Sequence, residues 1–167
     1  YCYGIEAINN LGNPAALIGH SLGEYTALCL SGYLDYKDAL KVIAVRGEEM
    51  HKAVENSNTT MAAVLTGDLE ATIEEIEKLN NQGIQIWISN FNDPSQIVIS
   101  SYIDDMNYLK SNPKALSAKR VIPLEVAGAF HTEIVSSAKK PLEDTLNSID
   151  ISEGKIPVYM NVDAKKV

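Results

Sequence analysis

The order of six elements between Met61 and Val126 constrains the fold of this chain most strongly. Apolar runs typical of strands alternate there with segments whose apolar residues have helical spacing. Asn92-Asp93-Pro94-Ser95 supplies a turn between the two middle strands. The predicted elements are strand 61–65, helix 69–80, strand 84–89, strand 96–100, helix 103–110 and strand 119–126. This β-α-β-β-α-β order is the split βαβ of ferredoxin-like units, which we place at residues 60–126.

The segments on both sides of this unit predict a second part of an α/β fold, formed by residues 1–59 and 127–167. Short apolar runs again alternate with helical spacing, Asp35 is a suitable N-cap, and Pro141 predicts a kink. The predicted elements are helix 1–10, strand 15–18, helix 22–31, a helix from Asp35 to about Val54, a helix from 131 or 132 to about 149, and strand 155–162.

Composition bounds the class of protein. The 167 residues are 46% hydrophobic and 22% charged, which predicts one soluble domain that buries roughly 70% of its unfolded-chain surface. No run approaches the roughly 20 apolar residues of a membrane span, and the first residues lack the basic and apolar regions of a signal peptide, so we expect no membrane association. Cys2 and Cys29 are too few for a disulfide framework or a four-cysteine zinc cluster, which favours a reducing compartment.

The charge is unevenly distributed along the chain. A formal net charge of −8 argues against a nucleic-acid partner, because such binding needs surplus lysine and arginine. Residues 1–100 contain five basic and thirteen acidic side chains, whereas residues 101–167 contain nine of each. An acidic partner would therefore meet the second part, unless its basic side chains are ordinary solvated surface. The candidates are Lys114, Lys119-Arg120, Lys139-Lys140 and Lys165-Lys166.

A G-x-S-x-G pattern occupies residues 19–23, directly after the strand at 15–18 and before a helix. This is the context of a nucleophile elbow, in which a sharp turn exposes the serine hydroxyl and flanking glycines avoid collisions. Ser21 is therefore the candidate nucleophile. The following helix N-terminus points backbone N–H groups, first that of Leu22, at an oxyanion formed on the substrate.

A serine hydroxyl needs an adjacent base, and the chain has three histidines. His51 falls near a helix end among charged residues and is expected at the surface. His20 neighbours Ser21 on a tight turn and is expected to pack or to donate a supporting hydrogen bond. His131 follows a predicted strand, where catalytic groups of α/β sheets collect, and is the candidate base; the alternative is a structural histidine.

An orienting acid is not evident between Ser21 and His131. Asp93, Asp104, Asp105 and Glu125 are available, but none is predicted in a strand-end loop, which argues against an ordinary esterase. Arg46 lies at the edge of an apolar helical stripe. Its guanidinium could bind a carboxylate in a bidentate manner or form a salt bridge with a helix neighbour such as Glu49.

Six blocks in order resemble the malonyl-CoA:acyl carrier protein transacylase family over essentially the whole chain. They are Gly19-His20-Ser21-Leu22-Gly23-Glu24-Tyr25-Thr26-Ala27-Leu28, Arg46-Gly47 with Met50, Met61-Ala62-Ala63-Val64, residues 90–100 from Asn90 to Ser100, Gly128-Ala129-Phe130-His131-Thr132, and residues 157–164 from Pro157 to Ala164.

The resemblance implies an α/β-hydrolase-like core with the ferredoxin-like insert and a ping-pong reaction. Ser21, deprotonated by His131, would take the malonyl group from malonyl-CoA and pass it to the phosphopantetheine thiol of acyl carrier protein. Arg46 would bind the free carboxylate. The resemblance also implies no metal and no cofactor besides the substrate, a monomer, and a bacterial cytoplasm or an organelle. The residues that would line the substrate site are Phe130, which narrows the acyl pocket, His20, Met50, Asn90 and Asn92.

The family also has parts with no counterpart here: an oxyanion-donating loop near the start, and a later segment whose backbone carbonyl orients the histidine. The chain is therefore expected to be an internal fragment with weak or no activity of its own. Two other functions stay open. One is a serine thioesterase or esterase that uses the same elbow with water as acceptor, and the other is an inactive fragment that binds the carrier.

Overall fold

Helices and strands alternate along the chain in a computed structural model that describes residues 1–167. The fold is mixed α/β. The helices are α1 Cys2–Leu11, α2 Gly23–Ser31, α3 Tyr36–Val54, α4 Leu69–Asn81, α5 Ile103–Ser111 and α6 Lys139–Leu146. The strands are β1 Leu17–Ile18, β2 Thr59–Thr66, β3 Ile86–Asp93, β4 Gln96–Tyr102, β5 Ala118–Pro123 and β6 Val158–Tyr159, and two 3-10 helices span Pro113–Leu116 and Glu133–Ala138.

Residues 48–139 form one compact unit around a four-stranded sheet. The strand order is β3-β4-β2-β5, and every neighbouring pair is antiparallel. The predicted element order is observed here, with a 3-10 helix added before β5. Strand residues such as Val64 and Ile99 are fully buried, as is Leu109 of α5, since the helices cover apolar positions of the sheet.

This unit, residues 48–139, includes more of the chain than the predicted insert at residues 60–126. Gly128 packs against the end of α3, where a side chain at position 128 would come within 2.5 Å of Cβ of Val54. The backbone N–H of Ala129 donates to Oγ1 of Thr59 at 2.9 Å, and Ala129 is fully buried. The segment after β5 is thus joined to the end of α3 and to the start of β2 by contacts between residues far apart in the sequence.

Residues 1–47 and 140–167 form the other compact unit. Its strands β1 and β6 are parallel, with Leu17 opposite Val158 and Ile18 opposite Tyr159. The strand predicted at 155–162 is only two residues long because the chain turns after Met160, where N–H of Ala164 donates to the Met160 carbonyl. None of the helices is long and apolar enough to cross a lipid bilayer.

The helix predicted from 131 or 132 to about 149 is wrong as a single element. A 3-10 helix begins after Thr132, whose Oγ1 accepts from N–H of Ile134 at 3.2 Å, and α6 begins only at Lys139. Pro141 thereby falls in the first turn of α6, where its missing N–H costs no hydrogen bond. In place of the kink expected at Pro141, the helix type changes from 3-10 to α at Lys139.

Candidate active site

Ser21 stands on a sharp turn between β1 and α2, as the pentapeptide predicts. Its backbone has φ 51°, a left-handed conformation unusual for a residue other than glycine. N–H of Gly23 donates to the His20 carbonyl at 2.9 Å, and N–H of Glu24 donates to the Ser21 carbonyl at 3.2 Å. These bonds close the turn, and Leu22 is the N-cap of α2, so backbone N–H groups of the helix start lie beside the serine.

Of the two glycines in the pentapeptide, only Gly19 lies so close to other backbone atoms that a side chain would not fit. A Cβ built on Gly19 would lie 2.0 Å from the backbone carbon and oxygen of Gly23, a distance that no side chain tolerates. A Cβ on Gly23 would meet no atom within 4 Å. The expectation that both glycines avoid collisions is confirmed for Gly19 and is wrong for Gly23.

Arg46 approaches the candidate nucleophile directly. Its Nη2 donates to Oγ of Ser21 at 2.9 Å, although the two residues are 25 positions apart. The guanidinium also lies 5.8 Å from the ring centre of Tyr25, within the range of a cation–π contact. Burial raises the pKa of the Tyr25 hydroxyl, and the nearby Arg46 charge partly opposes that rise. A fixed cation beside a nucleophilic hydroxyl can bind an anionic group on the substrate.

The alternative expected for Arg46 was a salt bridge with Glu49. The carboxylate of Glu49 is instead 2.8 Å from Nζ of Lys52, which also pairs with Glu48 at 2.7 Å. Lys52, which is exposed near the end of α3, therefore forms ion pairs with both carboxylates. Arg46 faces Ser21 and Tyr25 from within the unit formed by residues 1–47 and 140–167.

His131 belongs to residues 48–139, in a loop that is fixed by its neighbours. His131 itself has φ 59° and is exposed. Oγ1 of Thr132 donates to the Ala129 carbonyl at 2.8 Å, and N–H of Phe130 donates to the Gly128 carbonyl at 2.9 Å. The loop thus presents His131 in a left-handed conformation after β5, and Phe130 before it is half-buried.

A cavity of about 510 Å³ opens beside His131 between α4 and β3. Ile73, Ile88 and Trp87 contribute apolar lining, and Nε1 of Trp87 donates to Oε1 of Glu133, which also lines the cavity. The cavity beside His131 thus has both apolar and carboxylate lining.

The remaining candidates fall into both units. His20 is exposed on the elbow beside Ser21. Met50 is half-buried in α3, while Asn90 is half-buried and Asn92 exposed in β3, all within residues 48–139. His51 is exposed near the end of α3, as expected for a surface histidine.

Two polar residues at the elbow were not assigned a role from the sequence. Asn161 follows β6 and accepts the Ser21 N–H on Oδ1 at 2.8 Å, and its Nδ2 is 2.6 Å from Oε2 of Glu24. A signal was available, because parallel strands end at the same edge of a sheet and β6 pairs with β1. The sequence pattern hides this signal because the predicted strand runs through Asn161 to residue 162.

Known proteins resemble this chain in sequence and in structure. The model of the acyl transferase domain family matches residues 3–167. The malonyl CoA-acyl carrier protein transacylase of Bacillus subtilis (strain 168) is 40% identical over 151 residues, 90% of this chain and 48% of that protein. The chain spans about half the length of the curated relatives it matches.

Solved structures resemble the fold along nearly the whole chain. An acyl carrier protein S-malonyltransferase from Vibrio cholerae has a TM-score of 0.85 and 34% identity, and the match covers 98% of this chain and 54% of that one. A malonyl-transacylase in complex with its type II PKS acyl-carrier protein has a TM-score of 0.87 and 30% identity, with 99% and 54% covered.

Proposed function

The chain belongs to the acyl transferase domain family, and from that premise we propose that it transfers a malonyl group from malonyl-CoA to the phosphopantetheine thiol of acyl carrier protein. The group passes through an ester on Ser21, for the synthesis of fatty acids or polyketides. The hydrogen bond between Arg46 Nη2 and Ser21 Oγ, 2.9 Å long, carries the proposal. A malonyl thioester has a reactive carbonyl at one end and a carboxylate at the other. A site for it needs a nucleophile and a fixed cation side by side.

The proposed reaction has two half-reactions on the same serine. His131 accepts the proton of the Ser21 hydroxyl while Oγ attacks the thioester carbonyl carbon. The oxyanion that forms accepts a hydrogen bond from N–H of Leu22 at the start of α2. The intermediate then expels CoA as a thiol, which takes its proton from His131. In the second half, His131 accepts the proton of the carrier thiol while the sulfur attacks the ester carbonyl carbon. The bond between that carbon and Ser21 Oγ then breaks, and His131 returns the proton to Oγ.

Arg46 gives the selectivity for malonyl over acetyl groups in this proposal. On substrate binding its guanidinium binds the substrate carboxylate, a charge-assisted and bidentate partner, through N–H donors other than the one on Ser21. An acyl group without the acid leaves Arg46 without that partner, at a cost of about 1.5–3 kcal/mol. Phe130 narrows the acyl pocket against methylmalonyl groups. We assign His20, Met50, Asn90 and Asn92 to the lining of the substrate site.

The proposed architecture is an α/β-hydrolase-like core at residues 1–59 and 127–167 with a ferredoxin-like insert at 60–126. The parallel pair β1 and β6 with the elbow between β1 and α2 supports the first part. The antiparallel strand order β3-β4-β2-β5 supports the second. We propose that the protein works as a monomer without a cofactor, in the cytoplasm or in an organelle.

Two relatives support the choice of substrate and acceptor. The Bacillus subtilis protein carries the name of a malonyl transacylase, and one structural neighbour is a malonyl-transacylase bound to its carrier protein. On this chain, an acidic carrier would meet the exposed Lys119 and Arg120 on β5, which take part in none of the ion pairs of the structure. Lys140 is already paired with Asp144 at 2.5 Å.

Incubation with malonyl-CoA followed by intact-mass measurement tests the proposal. We expect a malonyl adduct that forms slowly on the wild-type chain, in keeping with weak activity, that then persists, and that is absent from Ser21→Ala. Release of CoA without an adduct would instead indicate a thioesterase that uses water as acceptor. A chain that forms no adduct and releases no CoA, but still binds acyl carrier protein, would be a carrier-binding module.

A further inference from the structure

Asn161 and Glu24 form a polar cluster that is hydrogen-bonded to Gly19 and Ser21 of the elbow, and we call this cluster the elbow clamp. Oδ1 of Asn161 accepts the backbone N–H of Ser21 at 2.8 Å, and its Nδ2 donates to the Gly19 carbonyl at 2.7 Å. Oε2 of Glu24 accepts from the backbone N–H of Asn161 at 2.5 Å and from its Nδ2 at 2.6 Å. A single side chain therefore spans the turn from Gly19 to Ser21, and the first turn of α2 anchors it.

The chemistry of the two side chains matches these positions. An amide is the side chain that offers both an oxygen acceptor and N–H donors, and Asn161 uses the acceptor on Ser21 and the donors on Gly19 and Glu24. An ionised carboxylate only accepts, and Glu24 meets two N–H donors of Asn161. An aspartate at 161 would lose the donors and would face the Glu24 carboxylate.

Ser21 is the residue in this turn whose conformation needs such support. Its φ of 51° is sparsely populated for a residue with a Cβ and persists only when surrounding contacts determine it. The bond to Asn161 holds the N–H of Ser21, and the bond from N–H of Glu24 holds its carbonyl, so hydrogen bonds fix the peptide planes on both sides of the strained residue. Its backbone orientation in turn directs Oγ toward Arg46.

We propose that Asn161 and Glu24 are positioning residues for the nucleophile. They hold Ser21 in its left-handed conformation, so that Oγ stays aligned with Arg46 and the Leu22 N–H stays on the side where an oxyanion forms. The inference rests on the proposed function for its catalytic consequence, while its structural half can be measured without any substrate.

Two measurements on one set of variants test the clamp. The first is amide hydrogen exchange at Ser21 by NMR, and the second is the rate of Ser21 acylation at saturating malonyl-CoA together with KM. The variants are Asn161→Ala, Asn161→Asp, Glu24→Gln and the pair Asn161→Asp with Glu24→Gln. Asn147→Asp and Glu6→Gln are matched controls, because both positions are exposed in the same unit and make the same change of charge.

In Asn161→Ala, the amide hydrogen of Ser21 should exchange about fivefold to tenfold faster than in the wild type. The exchange rates of amides in the sheet at residues 59–123 should not change. Its acylation rate should fall about 10- to 100-fold, and KM for malonyl-CoA should stay within about twofold. Asn161→Asp should also lose rate because two carboxylates face each other. Glu24→Gln should acylate Ser21 at nearly the wild-type rate, since the amide oxygen of glutamine still accepts hydrogen bonds. Combined with Asn161→Asp, it should restore part of the lost rate, because it removes one of the two facing negative charges.

Three results would overturn the inference. One is unchanged Ser21 exchange in Asn161→Ala, and another is faster exchange with a wild-type acylation rate. The third is a loss of rate that follows a general loss of protection throughout the chain, which would indicate a structural role alone. If the wild-type chain forms no malonyl ester, the proposed function fails, and the Ser21 exchange rate alone then decides whether the clamp exists.

Discussion

The guanidinium of Arg46 donates a hydrogen bond of 2.9 Å to the hydroxyl of Ser21, from the middle of α3 to the turn before α2. The hydroxyl is thereby held by a cation before any substrate is present. The contact uses one of the five N–H donors of the guanidinium, so in the proposed function the other donors bind the substrate carboxylate while Arg46 stays beside the nucleophile. The residue proposed to select the substrate is thus also in contact with the residue proposed to be acylated.

Replacing Arg46 should remove the preference for malonyl-CoA over acetyl-CoA. Arg46→Ala should slow acylation by malonyl-CoA about 10- to 100-fold, because a charge-assisted bond is lost, and should affect acetyl-CoA much less. Intact-mass kinetics of the Ser21 adduct with both substrates measure the ratio. Lys41→Ala is the control, since Lys41 is exposed on the same helix and pairs only with Asp38. An equal loss with both substrates would contradict the assignment.

The two glycines of the pentapeptide should respond differently to the same substitution. Gly19→Ala places a methyl group 2.0 Å from the backbone of Gly23 and should lower the free energy of unfolding by about 1–3 kcal/mol. Gly23→Ala adds its methyl group in open space at the first position of α2, where alanine is the better helix former, and should be neutral or stabilising by up to about 1 kcal/mol. Denaturant unfolding of both variants measures the difference. Equal destabilisation would show that the turn is not packed as described.

The stability of the hairpin between β3 and β4 should depend on the ionisation of Asp93. Oδ1 of Asp93 accepts from N–H of Ser95 at 2.7 Å and from the Ser95 hydroxyl at 2.6 Å, and these bonds hold the pKa of Asp93 below its usual value. Because the folded-state pKa is lowered, the contribution to stability is present above the unfolded-state pKa and is lost as pH falls through the folded-state value. An NMR titration should show that Ser95→Ala raises the Asp93 pKa. The same pKa in both chains would refute this.

A test of the docking surface uses the two half-reactions separately. Reversing Lys119 and Arg120 to glutamate should slow transfer to an acidic carrier protein and leave acylation of Ser21 by malonyl-CoA unchanged, because in the proposed function only the carrier meets this surface. The slowing should shrink as salt is added, since salt screens exposed charges. Lys37→Glu with Lys41→Glu gives the same change of charge in the acidic first part of the chain. Equal slowing by both pairs would point to net charge alone.

Much of the fold follows from local sequence signals. Strand and helix periodicity between residues 59 and 123 predicts the element order because each element there is long enough to show its period. The sequence predicts a strand at 155–162 where β6 has two residues, because two residues are too few to show a period. It predicts one helix after Thr132 where the structure has a 3-10 helix followed by α6, because both helix types are compatible with the same apolar spacing.

Of the candidate site, the sequence by itself determined the elbow, because strand, Gly-His-Ser-Leu-Gly and helix are contiguous and the turn follows from local backbone sterics. It also identified Arg46 and His131 as candidates by residue type and place. Only the tertiary structure decided that Arg46 donates to Ser21 rather than pairing with Glu49, and that Asn161 holds the Ser21 backbone from 140 positions away. Such contacts depend on how parallel strands and separate helices pack, and local periodicity carries no information about which distant side chains then meet.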